Sequence, residues 1–237
     1  STAIAAPFED LDLGPASVDG SILATTAAQV VTIRLDGPAL ITTSSLPLPG
    51  VEPLVPACYA GDGRAVFADA DTLSLVTLSE GGVEPFGAVA FTLGECAALA
   101  DGRTVIATDG GALVAVGPDG AAVPIVGTRG RHLSSGGQRL FMIDPSQEFG
   151  AAVVREGTVS EGGSLGAVVG AVAGSPAWRV VDARPSPDGS WLAVVVERET
   201  ATEPEARLRV YRVGTDGLAM VTESAIEVGA RLTVLAP

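Results

Sequence analysis

The chain contains no lysine and no asparagine, and only 4% of its 237 residues are aromatic. All fourteen basic residues are arginine, so no lysine amine is present for Schiff-base chemistry. Without asparagine there is no N-glycosylation acceptor. Hydrophobic residues nevertheless make up 47% of the sequence. A core must therefore be built mainly from Val, Ala and Leu.

Positive charge is also scarce, because the formal net charge is −14. Nucleic acids and anionic membrane surfaces bind clustered positive charge, so we expect neither as a partner. The longest weakly polar stretch, 164–178, is interrupted by glycine. It is also shorter than the roughly 20 apolar residues of a membrane-spanning helix, so direct membrane insertion is not expected.

Turn dipeptides recur along the chain, and each is followed by a short apolar run. The first of each pair of turns is Asp19-Gly20, Asp62-Gly63, Asp101-Gly102, Gly136-Gly137 or Asp188-Gly189, and the second is Asp36-Gly37, Gly81-Gly82, Asp119-Gly120, Glu156-Gly157 or Asp216-Gly217. Glycine at such positions supplies the positive φ of a tight reversal. Short runs rich in β-branched residues between turns predict strands.

Each unit holds four predicted strands, and units near 40 residues long with four strands are typical of a β-propeller. We predict one all-β domain over 1–237, a propeller of about five four-stranded blades with essentially no helix. The units span roughly 8–50, 51–92, 93–130, 131–176 and 177–225. The closing strand in 226–237 either pairs with 8–13 to clasp the ring or begins a blade that is completed elsewhere; we favour the clasp.

The sequence Pro-Ser-Pro-Asp-Gly-Ser-Trp-Leu-Ala-Val-Val-Val at 185–196 resembles the WD40-like repeat of the TolB-type propeller. The run Leu-Arg-Val-Tyr-Arg-Val at 208–213 is similar to the third strand of such a blade. This resemblance implies a protein-binding or scaffold role, frequently outside the cytoplasm, with no catalytic motif. We expect Trp191 to pack in the core between blades.

Cys58 and Cys96 precede the first turns of units two and three, at equivalent positions on adjacent innermost strands. They are either a disulfide that joins two blades, which implies an oxidising compartment, or two small residues that fill an Ala-rich inner layer. Without a nearby histidine or a C-x-x-C spacing, zinc binding is not expected. No other metal or cofactor motif is present.

Catalysis has few candidates. His132, the only histidine, lies near Ser134 and Ser135, but neighbours on one strand do not form a nucleophile and base without a third group to orient them. Carboxylates on inner strands can serve a glycosidase. The candidates for this hydrolase alternative are Asp12, Glu95 and Asp182.

Binding candidates lie in two stretches. The hydrophilic stretch 197–207 is interpreted as an enlarged loop of unit five, which either is solvated or contacts a partner through Glu197, Glu199, Glu203 and Glu205. The Gly/Ala-rich stretch 159–176 is interpreted as an outer strand with a flexible link, and its exposure would create an interaction patch.

These observations predict a noncatalytic scaffold that binds other proteins as part of a larger assembly. We expect it to be extracytoplasmic, either periplasmic, at the cell surface or secreted. A carbohydrate-binding propeller is the alternative, because sugars stack on aromatic rings. Against it, the aromatic residues do not recur at equivalent positions of the units: Trp178, Trp191, Tyr59 and Tyr211.

Overall fold

The computed structural model of the protein describes residues 12–16, 22–25, 29–36, 39–47, 54–60, 64–69, 74–79, 82–86, 95–108, 110–200, 203–230 and 232. These residues form twenty β-strands and include no helix. The strands build five four-stranded sheets, which we number as blades 1 to 5 in chain order.

Each blade uses four consecutive strands. Blade 1 contains β1 (Asp12–Ala16), β2 (Ile22–Thr25), β3 (Gln29–Asp36) and β4 (Ala39–Pro47), and blade 2 contains β5 (Leu54–Tyr59), β6 (Ala65–Asp69), β7 (Ser74–Ser79) and β8 (Gly82–Pro85). Blade 3 contains β9 (Glu95–Ala98), β10 (Thr104–Ala107), β11 (Ala112–Val116) and β12 (Ala122–Arg129). Blade 4 contains β13 (Arg131–Gly136), β14 (Arg139–Asp144), β15 (Ala151–Glu156) and β16 (Val168–Ala173). Blade 5 contains β17 (Arg179–Pro185), β18 (Trp191–Arg198), β19 (Glu205–Val213) and β20 (Leu218–Ile226).

Neighbouring strands in every blade are antiparallel, and the strand order follows the chain. The first strands of successive blades lie side by side, from β1 to β5, β9, β13 and β17. They form the inner layer, and the fourth strand of each blade lies on the outside. The predicted all-β propeller with four-stranded blades is therefore confirmed.

One turn geometry recurs where the sequence has Asp-Gly. A carboxylate oxygen of the Asp accepts a hydrogen bond from the backbone N–H two residues later, at 3.1 Å for Asp101, 3.1 Å for Asp119 and 3.0 Å for Asp188. The glycine that follows each Asp has a positive φ, between 70° and 84°. The side-chain bond reproduces a backbone turn, and glycine allows the left-handed residue that completes it.

The hydrophobic core consists of layers between adjacent blades. Side chains alternate between the two faces of a strand, so Leu140 and Met142 pack towards blade 3 while Phe141 and Ile143 pack towards blade 5. Cys58, Phe86 and Ile106 belong to the layer between blades 2 and 3. Blades 3 and 4 are buried on both faces in this way, which stabilises sheets that could not stand alone.

Two predicted segments differ from the structure. The loop expected at 197–207 is shorter, because β18 continues to Arg198 and β19 begins at Glu205. The stretch 157–166 is a hairpin that precedes β16, with Val159 and Leu165 forming a bridge. Both side chains are buried in the layer between blades 3 and 4, so this hairpin is packed rather than a flexible link.

The predicted clasp falls mostly outside the described residues, since 1–11, 231 and 233–237 are not among them. Two contacts of the C-terminal segment are described. The Gly229 N–H donates to the Glu197 carboxylate at 3.2 Å, and the Leu232 N–H donates to Asp182 at 2.8 Å. Both acceptors belong to blade 5, so this segment returns to the blade from which it leaves.

Candidate functional site

Glu95 on β9 joins the inner strands of blades 3 and 4. One of its carboxylate oxygens accepts a hydrogen bond from the Leu133 N–H at 3.3 Å, and the other lies 3.6 Å from Nδ1 of His132. His132 has a φ of 52°, the one positive value at a non-glycine residue among those described. The strand pairing shifts register between Arg131 and Ser134, so a β-bulge holds the imidazole towards Glu95.

The two serines near His132 do not complete a nucleophilic arrangement. Within the described part of the chain, no hydrogen bond joins His132 to Ser134 or Ser135, and the Ser134 Oγ is buried without a partner. This geometry lacks the nucleophile–base contact on which serine catalysis depends.

Asp182 is buried, and backbone N–H groups bind its carboxylate. Its side chain is buried with 1% of the residue exposed, and its two oxygens accept hydrogen bonds from the N–H groups of Ala183 and Leu232, each at 2.8 Å. Arg184 lies 3.7 Å from it. Glu95 and Asp182 therefore each bond to a different neighbouring segment. Asp12, the third candidate carboxylate, lies on β1, and its side chain is not described.

Cys58 and Cys96 form a disulfide with a Cα–Cα distance of 5.5 Å. They lie on β5 and β9, the innermost strands of blades 2 and 3. Both residues are 3% exposed, and the bond lies in the hydrophobic layer between these blades. The cross-link therefore fixes two inner strands relative to each other.

A Trp–Arg cluster lies on the second and third strands of blade 5, on the face that packs towards blade 4. The guanidinium carbons of Arg198, Arg207 and Arg209 lie 4.7, 4.9 and 5.7 Å from the centroid of the Trp178 ring. Trp178 is half-buried, in the connection between blades 4 and 5. Guanidinium groups at such distances are attracted by the ring quadrupole.

Two glutamates hold these arginines in place. Arg198 makes bidentate hydrogen bonds to Glu205, with the shortest contacts at 2.8 Å. Glu223 accepts from Arg209 Nε at 2.6 Å and also from Arg207. Hydrogen bonds from Arg198 lower the pKa of Glu205, and those from Arg209 and Arg207 lower the pKa of Glu223. The cluster is thus preorganised as two ion-paired units on one aromatic ring.

The four glutamates predicted to contact a partner have different surroundings. Glu205 belongs to the Trp–Arg cluster, and Glu197 accepts the Gly229 N–H. Glu199 and Glu203 are exposed beside the tip of the β18–β19 hairpin. The four therefore do not form one acidic surface.

Sequence reasoning missed the Trp–Arg cluster, although a signal was present. Arg207 and Arg209 alternate with apolar residues on β19 and share a face with Tyr211. Burial raises the pKa of the Tyr211 hydroxyl. The period of two places both arginines on the face that Trp178 covers. The position of Trp178 depends on the turn formed by Ser175 and Trp178, which bond to each other in both directions.

Neither a metal cluster nor a membrane-spanning helix is found in the described residues. They contain no group of three or more His, Cys, Asp or Glu side chains placed to hold a metal ion. No helix long and apolar enough to cross a membrane occurs in the same part of the chain.

No protein-family model and no curated protein matches the chain. Solved structures do. Kuenenia stuttgartiensis hydrazine synthase is 12% identical with a TM-score of 0.55, covering 93% of this chain and 69% of that one. The Nup133 β-propeller domain of Vanderwaltozyma polyspora is 7% identical with a TM-score of 0.52, covering 90% and 68%. The Dos1 propeller is 8% identical with a TM-score of 0.52, covering 90% and 61%. These similarities support the β-propeller fold.

Proposed function

We propose that the chain is a noncatalytic propeller of the WD40-like, TolB-type class that binds another protein through the Trp–Arg cluster of blade 5. The observation that carries this proposal is the stacking of three guanidinium groups on Trp178. Tryptophan and arginine are the residues that most often dominate the energy of protein interfaces. Ion pairing to Glu205 and Glu223 orients the arginines before binding, which lowers the entropic cost of association.

The surroundings of the cluster suit a protein partner. Arg207 is 39% exposed in its side chain, and Glu199 and Glu203 lie nearby at the hairpin tip. The contact surface therefore presents guanidinium groups that are held over an aromatic ring. Charged groups of both signs surround them, and such groups are typical of the polar rim of protein interfaces.

We also propose an extracytoplasmic location. A disulfide between Cys58 and Cys96 persists in oxidising compartments and is uncommon in the cytosol. The Ser-Pro-Asp-Gly turn supports the TolB-type assignment, since Ser186 and Asp188 bond side chain to side chain at 2.5 Å within it.

The two alternative functions are less well supported by the geometry. A sugar-binding site needs an open aromatic face, whereas guanidinium groups occupy a face of the Trp178 ring. A carboxylate hydrolase needs a pair of carboxyl groups at a controlled separation, whereas Asp182 is held by two backbone amides.

The test is capture of a partner from the extracytoplasmic fraction of the source cells, followed by calorimetry with the purified partner. Immobilised wild-type chain should retain one protein in stoichiometric amount. Arg207→Ala and Trp178→Ala should each weaken binding by about thirtyfold, the loss of roughly 2 kcal/mol expected at an interface hot spot. Asp119→Ala, an exposed turn residue of blade 3, is the control and should bind as the wild type does.

Circular dichroism establishes that each variant is folded before binding is compared. Two results would overturn the proposal: no stoichiometric protein is retained, or the partner binds Arg207→Ala and Trp178→Ala as tightly as wild type. Hydrolysis of a glycoside that depends on Asp182 would also contradict it.

A further inference from the structure

A cleft of about 700 Å³ opens between blades 3 and 4, on the outer side of the layer that they share. Its volume lies in the range of small-molecule sites, which is roughly 300–1,000 Å³. Ile125, Met142 and Val153 form its apolar walls. The Trp–Arg cluster of blade 5 does not contribute to it.

Small side chains and a bulge keep this space open. Ala151 on β15 and Ala171 and Ala173 on β16 line the cleft from blade 4. From blade 3, the pairing of β11 and β12 shifts register, so that Ala112 faces Arg129 while Leu113 faces Ile125. The extra residues of β12 include Gly127, with a φ of 72°, and they bend the outer strand away from blade 4.

Arg155 places a guanidinium group in the cleft. It lies on β15 on the same face as Ala151 and Val153, because side chains alternate along a strand. Its Nη1 donates to the Gly166 carbonyl at 3.0 Å, whereas its Nε is buried with no hydrogen-bond partner among the described residues. A buried donor without an acceptor is costly, by about 1–3 kcal/mol, so this group favours a ligand that supplies an acceptor.

The other charged groups of the cleft lie at its opposite end. The side chain of Arg129, at the end of β12, makes no hydrogen bond or ion pair within the described part of the chain. Asp144 is the carboxylate among the lining residues, and its Oδ1 already accepts from the N–H and Oγ of Ser146 at 2.9 and 2.6 Å. The end near Arg155 is therefore positive and the middle is apolar.

We propose that this cleft binds a small organic carboxylate with a short branched aliphatic body. The carboxylate accepts hydrogen bonds from Arg155, including from the unpaired Nε, and the aliphatic part lies against the alanines of β15 and β16. Charge-assisted bonds from a guanidinium to a carboxylate are among the strongest in proteins.

The probe is 4-methylpentanoate, with 4-methylpentanamide as the uncharged isostere, and the readout is backbone amide NMR of the folded protein. The acid should cause saturable shifts at Arg155, Gly166 and Ala171, and the amide should bind at least about tenfold more weakly. An acetylated Ala-Val-Leu peptide with a free carboxyl end tests whether the carboxylate comes from a peptide terminus instead of a free acid.

Arg103 provides a matched control. Its Nη1 also donates to a carbonyl of the 157–166 hairpin, Val159, at 2.9 Å, but it does not line the cleft. Arg155→Met should therefore abolish saturable binding, while Arg103→Met should retain it. Ala171→Leu should also block binding, by filling the cleft without removing charge.

Three outcomes would overturn the proposal. One is the absence of saturable shifts with both the acid and the peptide. A second is equal affinity for the acid and the amide. The third is equal loss of binding in Arg155→Met and Arg103→Met, which would assign the effect to the hairpin.

Discussion

The Oδ2 atom of Asp182 accepts a hydrogen bond from the Leu232 N–H at 2.8 Å, which ties the C-terminal segment to the innermost strand of blade 5. The other oxygen accepts from Ala183. Because the carboxylate is buried, its loss leaves two amides without their acceptor.

We expect Asp182→Ala to lower the free energy of unfolding by about 2 kcal/mol or more. Denaturant unfolding measures this change. Asp216→Ala, which removes an exposed carboxylate of the same blade, should change the stability by less than about 0.5 kcal/mol. Equal effects of the two substitutions would show that the buried hydrogen bonds of Asp182 contribute nothing to stability.

The disulfide should contribute more than any single hydrogen bond. Cys58 and Cys96 are 38 residues apart, and closing a loop of this length stabilises the folded state by about 4 kcal/mol in the chain-entropy model. Reduction should therefore lower the denaturation midpoint of the wild type. The double variant Cys58→Ala, Cys96→Ala should be less stable and insensitive to reductant. A midpoint that does not move on reduction would contradict this prediction.

The Ser-Pro-Asp-Gly turn should make stability depend on pH in the acid range. Hydrogen bonds from Ser186 and then Ser190 lower the pKa of Asp188 from 3.8 to about 2. A depressed pKa contributes stability that is present above the unfolded value and lost as pH falls towards the folded value. The difference in melting temperature between wild type and Asp188→Asn should therefore shrink as pH falls from about 4 to about 2.

Asp119→Asn, in a second turn of the same geometry, shows whether the loss of any turn carboxylate produces this pattern. The assignment to Asp188 fails if the difference from wild type is constant across that pH range.

Gly189 and Gly120 have similar backbone conformations but different surroundings. Substituting each one by alanine therefore distinguishes the cost of backbone strain from the cost of a steric contact. Gly189 and Gly120 have φ of 70° and 79°. A Cβ at Gly189 would lie 2.2 Å from the Gly136 carbonyl oxygen of blade 4, whereas one at Gly120 meets nothing within 4 Å. Gly120→Ala should cost about 1 kcal/mol of backbone strain, and Gly189→Ala should cost about 2–4 kcal/mol because blades 4 and 5 must move apart.

Denaturant unfolding of both variants tests this prediction. Equal losses of stability would mean that the turns at Gly136 and Gly189 can move apart without a cost in stability.

The sequence predicted the features that repeat locally. Each Asp-Gly turn is formed by residues within a few positions of Asp101 or Asp188, so its chemistry can be read without the fold. The spacing of these turns predicted the blades. The disulfide was one of two interpretations, because equivalent positions on adjacent inner strands bring Cys58 and Cys96 close only if both side chains share a layer.

The sequence could not predict on which face of the sheet a side chain near a β-bulge would lie. The pairing of β17 shifts register between Val180 and Asp182, and an extra residue moves the following side chains to the other face. Its place on an inner strand makes Asp182 a catalytic candidate in the sequence, whereas in the structure it is buried and bonded to the C-terminal segment. The same reasoning applies to His132, whose bulge turns it towards Glu95.

Sequence patterns also could not predict the contacts between blades. The stretch 157–166 is rich in glycine and serine, which suggested a link. Its two apolar residues, Val159 and Leu165, are buried in the layer with blade 3. The backbone of Val159 also accepts a hydrogen bond from Arg103 and donates one to Asp101. Only the folded chain brings these segments together.

The 157–166 hairpin limits how the chain could change by duplication or loss of blades. A blade in a propeller is ordinarily an interchangeable module, because it meets its neighbours only through its two faces. Here blade 4 carries two side chains, Val159 and Leu165, that complete the hydrophobic layer of blade 3. A rearrangement that separates blade 3 from blade 4 would therefore remove two side chains from the layer of blade 3 and expose Val159 and Leu165 to water.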